Sequence, residues 1–312
     1  MTPVRPPRLR RGDVIGLVSP ASPPRSMAQV EGSIRYLEGR GYRVKLGRHI
    51  LDRHGFSAGN DVDRAADLDA MFADPQVKAI FALRGGNGCC RLLRRLDYRA
   101  ARRHPKIFVG YSDLTFLQLA LWRRSRLVTF SGPMPAVEFW KKPDPWTEEQ
   151  FWGLLTSKAR RRTLPSPPDQ PPIPWRSGRA EGLLLGGCFS LVVSLFGTRF
   201  LPDFRGALLF LEDVREELHR IHRMLTQLDN AGLFRRLSGL LLGQFTEAGS
   251  EPAEPHADLT TIFAETLATF PGPILANLAY GHVPRKLTLP QGIRAALDVE
   301  RRSVRLLESP VA

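Results

Sequence analysis

Ile107-Phe-Val-Gly-Tyr-Ser-Asp-Leu-Thr115 decides how this chain is read. Three apolar residues run into Gly110, Ser112 follows at once, and an apolar segment from Leu114 to Trp122 reads as a helix. A short buried strand, a tight turn and a helix in that order form one unit of a doubly wound sheet. Upstream the alternation repeats. Val14-Ile-Gly-Leu-Val-Ser19 reads as a buried strand, and a helix with Val30, Ile34 and Leu37 on one face follows Pro23-Pro24 and ends at Gly39 or Gly41. Tyr42 to Leu46 is a second strand. A helix capped by Asn60 or Asp61 carries Leu68, Met71 and Phe72, and Ala79 to Leu83 is a third strand. The fold class is therefore α/β, with an N-terminal doubly wound, mostly parallel sheet.

Downstream the composition changes. Residues 141–179 hold Trp146, Trp152 and Trp175, just after Trp140, and the proline-rich run from Leu164 to Pro174. Proline at that density suits neither helix interior nor central strand. Residues 136–179 are accordingly expected as a linker between an N-terminal domain, 1–135, and a smaller mixed α/β C-terminal domain, 180–312. In that second part Gly186-Gly187 is expected to open a helix through Leu195. Ala207 to Leu211 reads as a strand, Glu216 to Asp229 as a helix, Leu237 to Leu242 as a strand and Leu259 to Phe270 as a helix. Ile274-Leu275 is a short strand and Ile293 to Leu307 a terminal hairpin.

The bulk properties narrow the function classes. The 312 residues carry a formal net charge of +14, which favours anionic partners. The basic residues nevertheless recur as scattered pairs, from Arg94-Arg95 to Arg301-Arg302, with a triplet at Arg160-Arg161-Arg162. Scattered pairs read as solvated surface, so a nucleic-acid partner is not expected. Three cysteines, Cys89, Cys90 and Cys188, offer no disulfide framework and no zinc-ribbon spacing, which fits a reducing compartment. No stretch approaches the ~20 apolar residues of a membrane span, and Val14 to Val18 is too short for a signal-peptide core. A cytoplasmic protein with no membrane partner is expected.

A serine at a strand-to-helix turn has its hydroxyl lifted clear of the sheet, and the following amide faces the same pocket at a helix N-terminus. Ser112 is thus a candidate nucleophile, against the plainer alternative of an N-cap serine. A nucleophilic serine needs a base, and the base an orienting group. Of seven histidines, His49, His54, His104 and His256 sit in polar segments, and His219 and His222 share a helix face without a third ligand. His282, in Ala279-Tyr-Gly-His-Val-Pro284, stands at a strand end beside a glycine and is the base candidate. Glu212 closes the strand from Ala207, where carboxylates point into the crevice of such sheets; Asp213 competes for the role. Arg84-Gly-Gly-Asn-Gly88 lacks the spacing of a phosphate loop, but its free amides could supply an oxyanion donor. Cys89 and Cys90 read as small buried hydrophobes.

These segments, in order and over nearly the whole chain, resemble the LD-carboxypeptidase (S66) serine peptidases. Gly12 to Ser22, Arg84 to Gly88, Gly110 to Thr115, Gly182 to Thr198, Phe210 to Asp213, Gly281-His282 and Leu287 to Gly292 carry the resemblance. It implies an N-terminal domain like that of class I glutamine amidotransferases. It also implies Ser112 as nucleophile, His282 as general base and later acid, and Glu212 as the residue orienting His282. The backbone amides of Gly86 and Asp113 would form the oxyanion hole, with no metal or cofactor. The site would lie between the two domains of a homodimer subunit. The activity implied is removal of a terminal D-amino acid from an L-centre, with murein tetrapeptide trimmed to tripeptide in cell-wall recycling. Arg84 is the candidate for the terminal carboxylate. Asn87 stands where tyrosine is usual, and Cys188-Phe189 where Asn-Leu is common, so both are places where the substrate pocket could differ. Two rivals are an immunity-type peptidase acting on peptidyl- or aminoacyl-nucleotide conjugates, with Trp140, Trp146 or Trp175 as base platform, and a non-catalytic basic nucleic-acid-binding protein. A thiol amidotransferase is excluded by the serine at the elbow.

Overall fold

A computed structural model describes residues 2–159, 161–249 and 258–312, so Arg160 and His256 lie outside the described residues. In chain order the elements are β1 (Val14–Val18), α1 (Met27–Gly39), β2 (Arg43–Leu46), α2 (Asp61–Ala73), β3 (Val77–Ala82), α3 (Tyr98–Arg103), β4 (Ile107–Gly110), α4 (Thr115–Ser125) and β5 (Thr129–Ser131). They continue with α5 (Pro145–Thr156), β6 (Arg162–Leu164), β7 (Ile173–Arg176), β8 (Arg179–Cys188), α6 (Phe189–Ser194), β9 (Ala207–Val214), α7 (Leu218–Asn230) and β10 (Gly239–Thr246). The last are α8 (Leu259–Thr266), β11 (Ile274–Ala276), β12 (Leu289–Gln291), β13 (Arg294–Asp298) and β14 (Ser303–Leu306).

The first sheet has the order β12-β5-β4-β3-β1-β2 and is parallel from β2 to β5. Its central strands are buried on both faces because helices cover both, which explains their continuous apolar sequences. The period of two is still visible in what each side chain packs against. Val14 and Val18 join the core under α2, with Leu68, Met71 and Phe72, while Ile15 and Leu17 join the opposite core with Val30 and Leu37 of α1. Gly16 faces α2, where a Cβ would lie 2.6 Å from Met71 Sδ. β2 is the edge strand and carries the polar sequence Arg-Val-Lys-Leu, mostly exposed.

The second sheet has the order β6-β14-β13-β8-β9-β10-β11-β7. Its centre, β8 to β11, is parallel and its flanks are antiparallel. The fold expectation is met: two α/β halves, the first built on a mostly parallel sheet. Two details differ from the sequence reading. Gly186 and Gly187 do not open a helix; they end β8, and α6 begins only at Phe189. The glycines serve close approach: a Cβ on Gly186 would lie 1.8 Å from Phe210 O of β9, and one on Gly187 2.5 Å from Thr115 Oγ1 of α4. Residues 136–179, expected as a linker, carry α5 and both edge strands of the second sheet, β6 and β7. Asp144 caps α5 by accepting from the Thr147 amide at 2.8 Å, with Pro145 at the first helical position. Pro174 is tolerated in β7 because that strand is an edge.

The halves are sewn together near the elbow. β12 belongs to the C-terminal part of the chain yet pairs antiparallel with β5 of the first sheet. Fully buried Gln118 of α4 donates to Gly110 O and Phe130 O, both at 2.8 Å. Gln291 of β12 donates to Gln118 Oε1 at 3.3 Å and accepts from the Gly186 amide at 3.1 Å. The Cys188 amide donates to Thr115 Oγ1 at 3.1 Å, which seats the end of β8 on the start of α4. Each link satisfies buried polar groups that would otherwise cost about 1–3 kcal/mol apiece. Among the described residues no helix is long and apolar enough to cross a membrane.

Candidate active site

Ser112 follows β4 by two residues and has φ +63°, in the left-handed region that non-glycine residues seldom occupy. It makes no capping bond, so the N-cap alternative does not hold; the turn Ser112–Leu114 starts after Tyr111. The strained backbone is tolerated because its surroundings fix it. Leu114 packs against Gly110, where a Cβ would lie 2.6 Å from Leu114 Cγ, and Gly85 passes on the other side, where a Cβ would lie 2.9 Å from Ser112 Cβ. The result aims Ser112 Oγ at His282, whose Nε2 is 3.0 Å away.

His282 Nδ1 lies 2.7 Å from Glu212 Oε2. Glu212 is fully buried near the end of β9, where β8 and β10 hold it in the sheet. Gly281, with φ +122°, brings the histidine loop onto the carboxylate: a Cβ there would be 2.8 Å from Glu212 Oε2. Ser112, His282 and Glu212, drawn from three separate segments of the chain, thus form one hydrogen-bonded relay across the two halves. Asp213, the competitor, faces away from it. Its carboxylate accepts from the Ser190 amide at 2.7 Å and from Cys188 Sγ at 3.2 Å.

Of the two expected amide donors, Asp113 directly follows Ser112, and Gly86 follows Gly85, whose Cβ would lie 2.9 Å from Ser112 Cβ. Gly86 has φ +128°, and a Cβ there would sit 2.1 Å from Ser22 Oγ. The turn is pinned by Ser22 Oγ, which accepts from the Asn87 amide at 3.1 Å, and by Ser57 Oγ, which donates to Asn87 O at 3.3 Å. The carboxylate of Asp113 accepts from the Cys89 amide at 2.8 Å and so ties the elbow to that turn. Burial raises the Asp113 carboxyl from its ordinary value, against the lowering effect of this bond. Asn87 is exposed and does not line the chamber over Ser112.

Three residues that the sequence reading missed complete the surroundings. The Tyr111 ring meets the His282 ring edge-on, with centroids 5.0 Å apart. Its hydroxyl donates to Glu138 Oε1 at 2.9 Å, and Lys286 Nζ donates to the same oxygen at 2.6 Å. The Lys286 ammonium also lies 3.9 Å from the Tyr111 ring centroid. All three side chains are buried or nearly so. Burial first, and Glu138 second, push the Tyr111 phenol well above its usual range, which keeps it a donor. Tyr111 lay inside the quoted elbow sequence, and Lys286 four residues past the histidine; nothing in the sequence singled out Glu138.

A chamber of about 360 Å³ opens over Ser112, walled by Arg25, Arg84, Met134, Val137 and Trp140, and a second of about 740 Å³ shares Tyr111, Val137 and His282 with it. Of the three tryptophans considered as a base platform, only Trp140 borders the site. Trp146 packs on a core, and Trp175 packs against Phe263 with centroids 5.8 Å apart. Cys89 and Cys188 are buried thiols held well above their usual range, chiefly by burial. Among the described residues His219 and His222 belong to no three-ligand cluster; the one such cluster is His49, Asp52 and Asp63, a partly exposed group joined by a 2.7 Å His49–Asp52 contact.

Residues 15–132 match the LD-carboxypeptidase N-terminal domain and residues 181–297 the LD-carboxypeptidase C-terminal domain. A probable murein peptide carboxypeptidase of Bacillus subtilis is 36% identical over 300 residues, covering 96% of this chain and 93% of its own. The crystal structure of muramoyltetrapeptide carboxypeptidase from Oxalobacter formigenes superposes with a TM-score of 0.82 at 31% identity, covering 94% of this chain and 97% of that one. The microcin C7 self-immunity protein MccF in complex with aspartyl sulfamoyl adenosine superposes with a TM-score of 0.92 at 24% identity, covering 99% of this chain and all of that one, a likeness of fold. Both halves of the chain, in order and almost end to end, therefore carry the same family signature: this protein belongs to the LD-carboxypeptidase family of serine peptidases.

Proposed function

We propose that this peptidase hydrolyses the amide between an L-centre and a terminal D-amino acid, converting murein tetrapeptide to tripeptide. The observation that carries the reading is the relay from Ser112 Oγ to His282 Nε2 at 3.0 Å and from His282 Nδ1 to Glu212 at 2.7 Å. In this mechanism His282 takes the Ser112 proton as the hydroxyl oxygen attacks the scissile carbonyl. Glu212 fixes the imidazole tautomer and stabilises the imidazolium. The developing oxyanion is met by the amides of Gly86 and Asp113. His282 then protonates the leaving amine, the terminal D-amino acid departs, and an acyl ester on Ser112 remains. Water, deprotonated by His282, opens the ester and restores the hydroxyl.

The substrate assignment draws support from the relatives named for murein peptides, of which the B. subtilis protein is similar along almost the whole chain. A place in cell-wall recycling, a cytoplasmic location and a homodimeric state belong to the same proposal. The unbridged cysteines favour the reducing compartment. The second reading, an immunity-type peptidase, is favoured by the fold likeness to MccF and by Trp140, an aromatic face at the chamber where a base could stack. Competition decides between them. Purified protein given equal amounts of murein tetrapeptide and aspartyl sulfamoyl adenosine is expected to consume the tetrapeptide at least tenfold faster. Faster loss of the nucleotide conjugate would hand the assignment to the second reading.

A further inference from the structure

The two chambers differ in charge as well as size. The smaller one, over Ser112, has Arg25 and Arg84 and, among the described residues, no carboxylate in its wall. The larger one mixes Lys142, Arg215 and Lys286 with Glu138, Asp144 and Glu247. Among the described residues neither arginine of the smaller chamber is spent on a structural ion pair. Among the described residues, the Arg84 side chain has one bond, from Nε to Gly85 O at 3.2 Å, and the Arg25 guanidinium has no partner. Burial, and then the like charge of Arg25, hold the Arg84 guanidinium below its ordinary value. Two guanidinium groups close enough to repel, one of them partly desolvated, gain most from an anion with two acceptor oxygens.

We propose that Arg25 and Arg84 clamp the free carboxylate of the leaving residue, so that this residue occupies the smaller chamber and the acyl part of the peptide runs into the larger one. The inference rests on the hydrolytic reading above and gives it a direction. Covalent geometry supports it: the carboxylate of a terminal residue is two bonds from the scissile nitrogen, within one residue's length of ~3.8 Å. Arg84 shares the chamber with the nucleophile, and Gly85, its neighbour in the chain, is the residue whose Cβ would lie 2.9 Å from Ser112 Cβ. Beyond the relay and its neighbours the walls are Gln29, Met134, Ala136, Val137 and Trp140, mostly apolar and suited to a small uncharged side chain. The substrate class is therefore a peptide ending in a small apolar residue with a free carboxylate. Peptides capped as the amide, or extended by another residue, fit poorly.

The test compares kcat/KM for a tetrapeptide ending in D-Ala with that for its carboxamide, in wild type, Arg25→Gln, Arg84→Gln and the double variant. Wild type is expected to prefer the free acid by about 10²-fold, as the loss of charge-assisted bonds implies. Each single variant should shrink the ratio, and the double variant should bring it within about fivefold of unity. The ratio is taken within one protein preparation, so partial misfolding cancels; Arg25 is in any case exposed and outside the core. A double variant that still cleaves the acid about 10²-fold better than the amide overturns the clamp and leaves the hydrolytic reading standing. Wild type that cleaves neither peptide overturns that reading and the clamp with it.

Discussion

Gly281→Ala tests how the histidine loop is held against the buried carboxylate. The new Cβ would lie 2.8 Å from Glu212 Oε2, 2.9 Å from Glu212 Cβ and 3.2 Å from Gln244 O. Glu212 is fully buried, with Gly243 of β10 near enough that an added Cβ there would lie 3.3 Å from the Glu212 Cβ, so a retreat must displace packed neighbours. An ordinary contact needs about half an ångström more on the Gly281 side, which stretches the 2.7 Å bond between Glu212 and His282 to the outer limit of about 3.2 Å. Removing the orienting carboxylate of a triad costs about 10⁴ in kcat. Weakening it should cost about 10²–10³, with KM changed little, since Glu212 lies behind the histidine rather than in the chamber. The backbone at φ +122° adds strain of roughly 1–3 kcal/mol. Gly197→Ala is the control: φ is +82° there and nothing lies within 4 Å of the added carbon, so it should lower the melting temperature and spare the rate. The assay is steady-state release of D-Ala from tetrapeptide, with melting followed in parallel. A folded Gly281→Ala enzyme whose kcat is within threefold of wild type would refute the reasoning.

The Glu138–Lys286 pair should show strong coupling, because both side chains are buried and joined at 2.6 Å. Glu138→Gln and Lys286→Met each leave one buried charge and are expected to cost about 3–5 kcal/mol, whereas the double variant should recover most of that; additive losses in denaturant melts would contradict it. Lys106 carries a pH signature. Burial lowers its ammonium to about 8 from 10.5, so between those values the unfolded chain binds more protons than the folded one, and stability should rise with pH. Wild type should therefore gain melting temperature relative to Lys106→Met from pH 8 to pH 10; a difference that is flat or falling excludes this. Gly187→Ala should detach β8 from α4, since its methyl would lie 2.5 Å from Thr115 Oγ1 at φ +139°, and is expected to lower stability by more than ~2 kcal/mol in thermal melts; an unchanged melting temperature would count against that contact.

Much of the first half was legible because its signals are local. Continuous apolar runs such as Val14–Val18 mark strands buried on both faces, and Gly110 followed by Ser112 marks a turn that lifts a hydroxyl. The three relay residues carry local signals too: Ser112 follows β4 by two residues, Glu212 lies near the end of β9, and His282 follows Gly281 in the loop between β11 and β12. What escaped was set by distant partners. Gly186-Gly187 looked like a helix start, but its meaning lies in Phe210 and Thr115, whose atoms leave no room for side chains. The prolines of 136–179 hid α5 and two strands because an edge strand needs only one row of hydrogen bonds, a property of sheet order rather than sequence. β12 joins the sheet of the other half, and no local pattern in Leu289-Pro-Gln291 says so. Glu138 acquires its role only when Tyr111 and Lys286 arrive beside it.

The central claim is that Ser112 cleaves an amide to a terminal D-residue. Its most direct test is mass spectrometry of two tetrapeptides, identical but for D-Ala or L-Ala at the end, after incubation with wild type and with Ser112→Ala. Loss of one residue from the D-Ala peptide alone, by wild type and slower by about 10⁴ or more in the variant, is the predicted result. Equal trimming by folded Ser112→Ala, or no trimming of the D-Ala peptide by wild type, would contradict it.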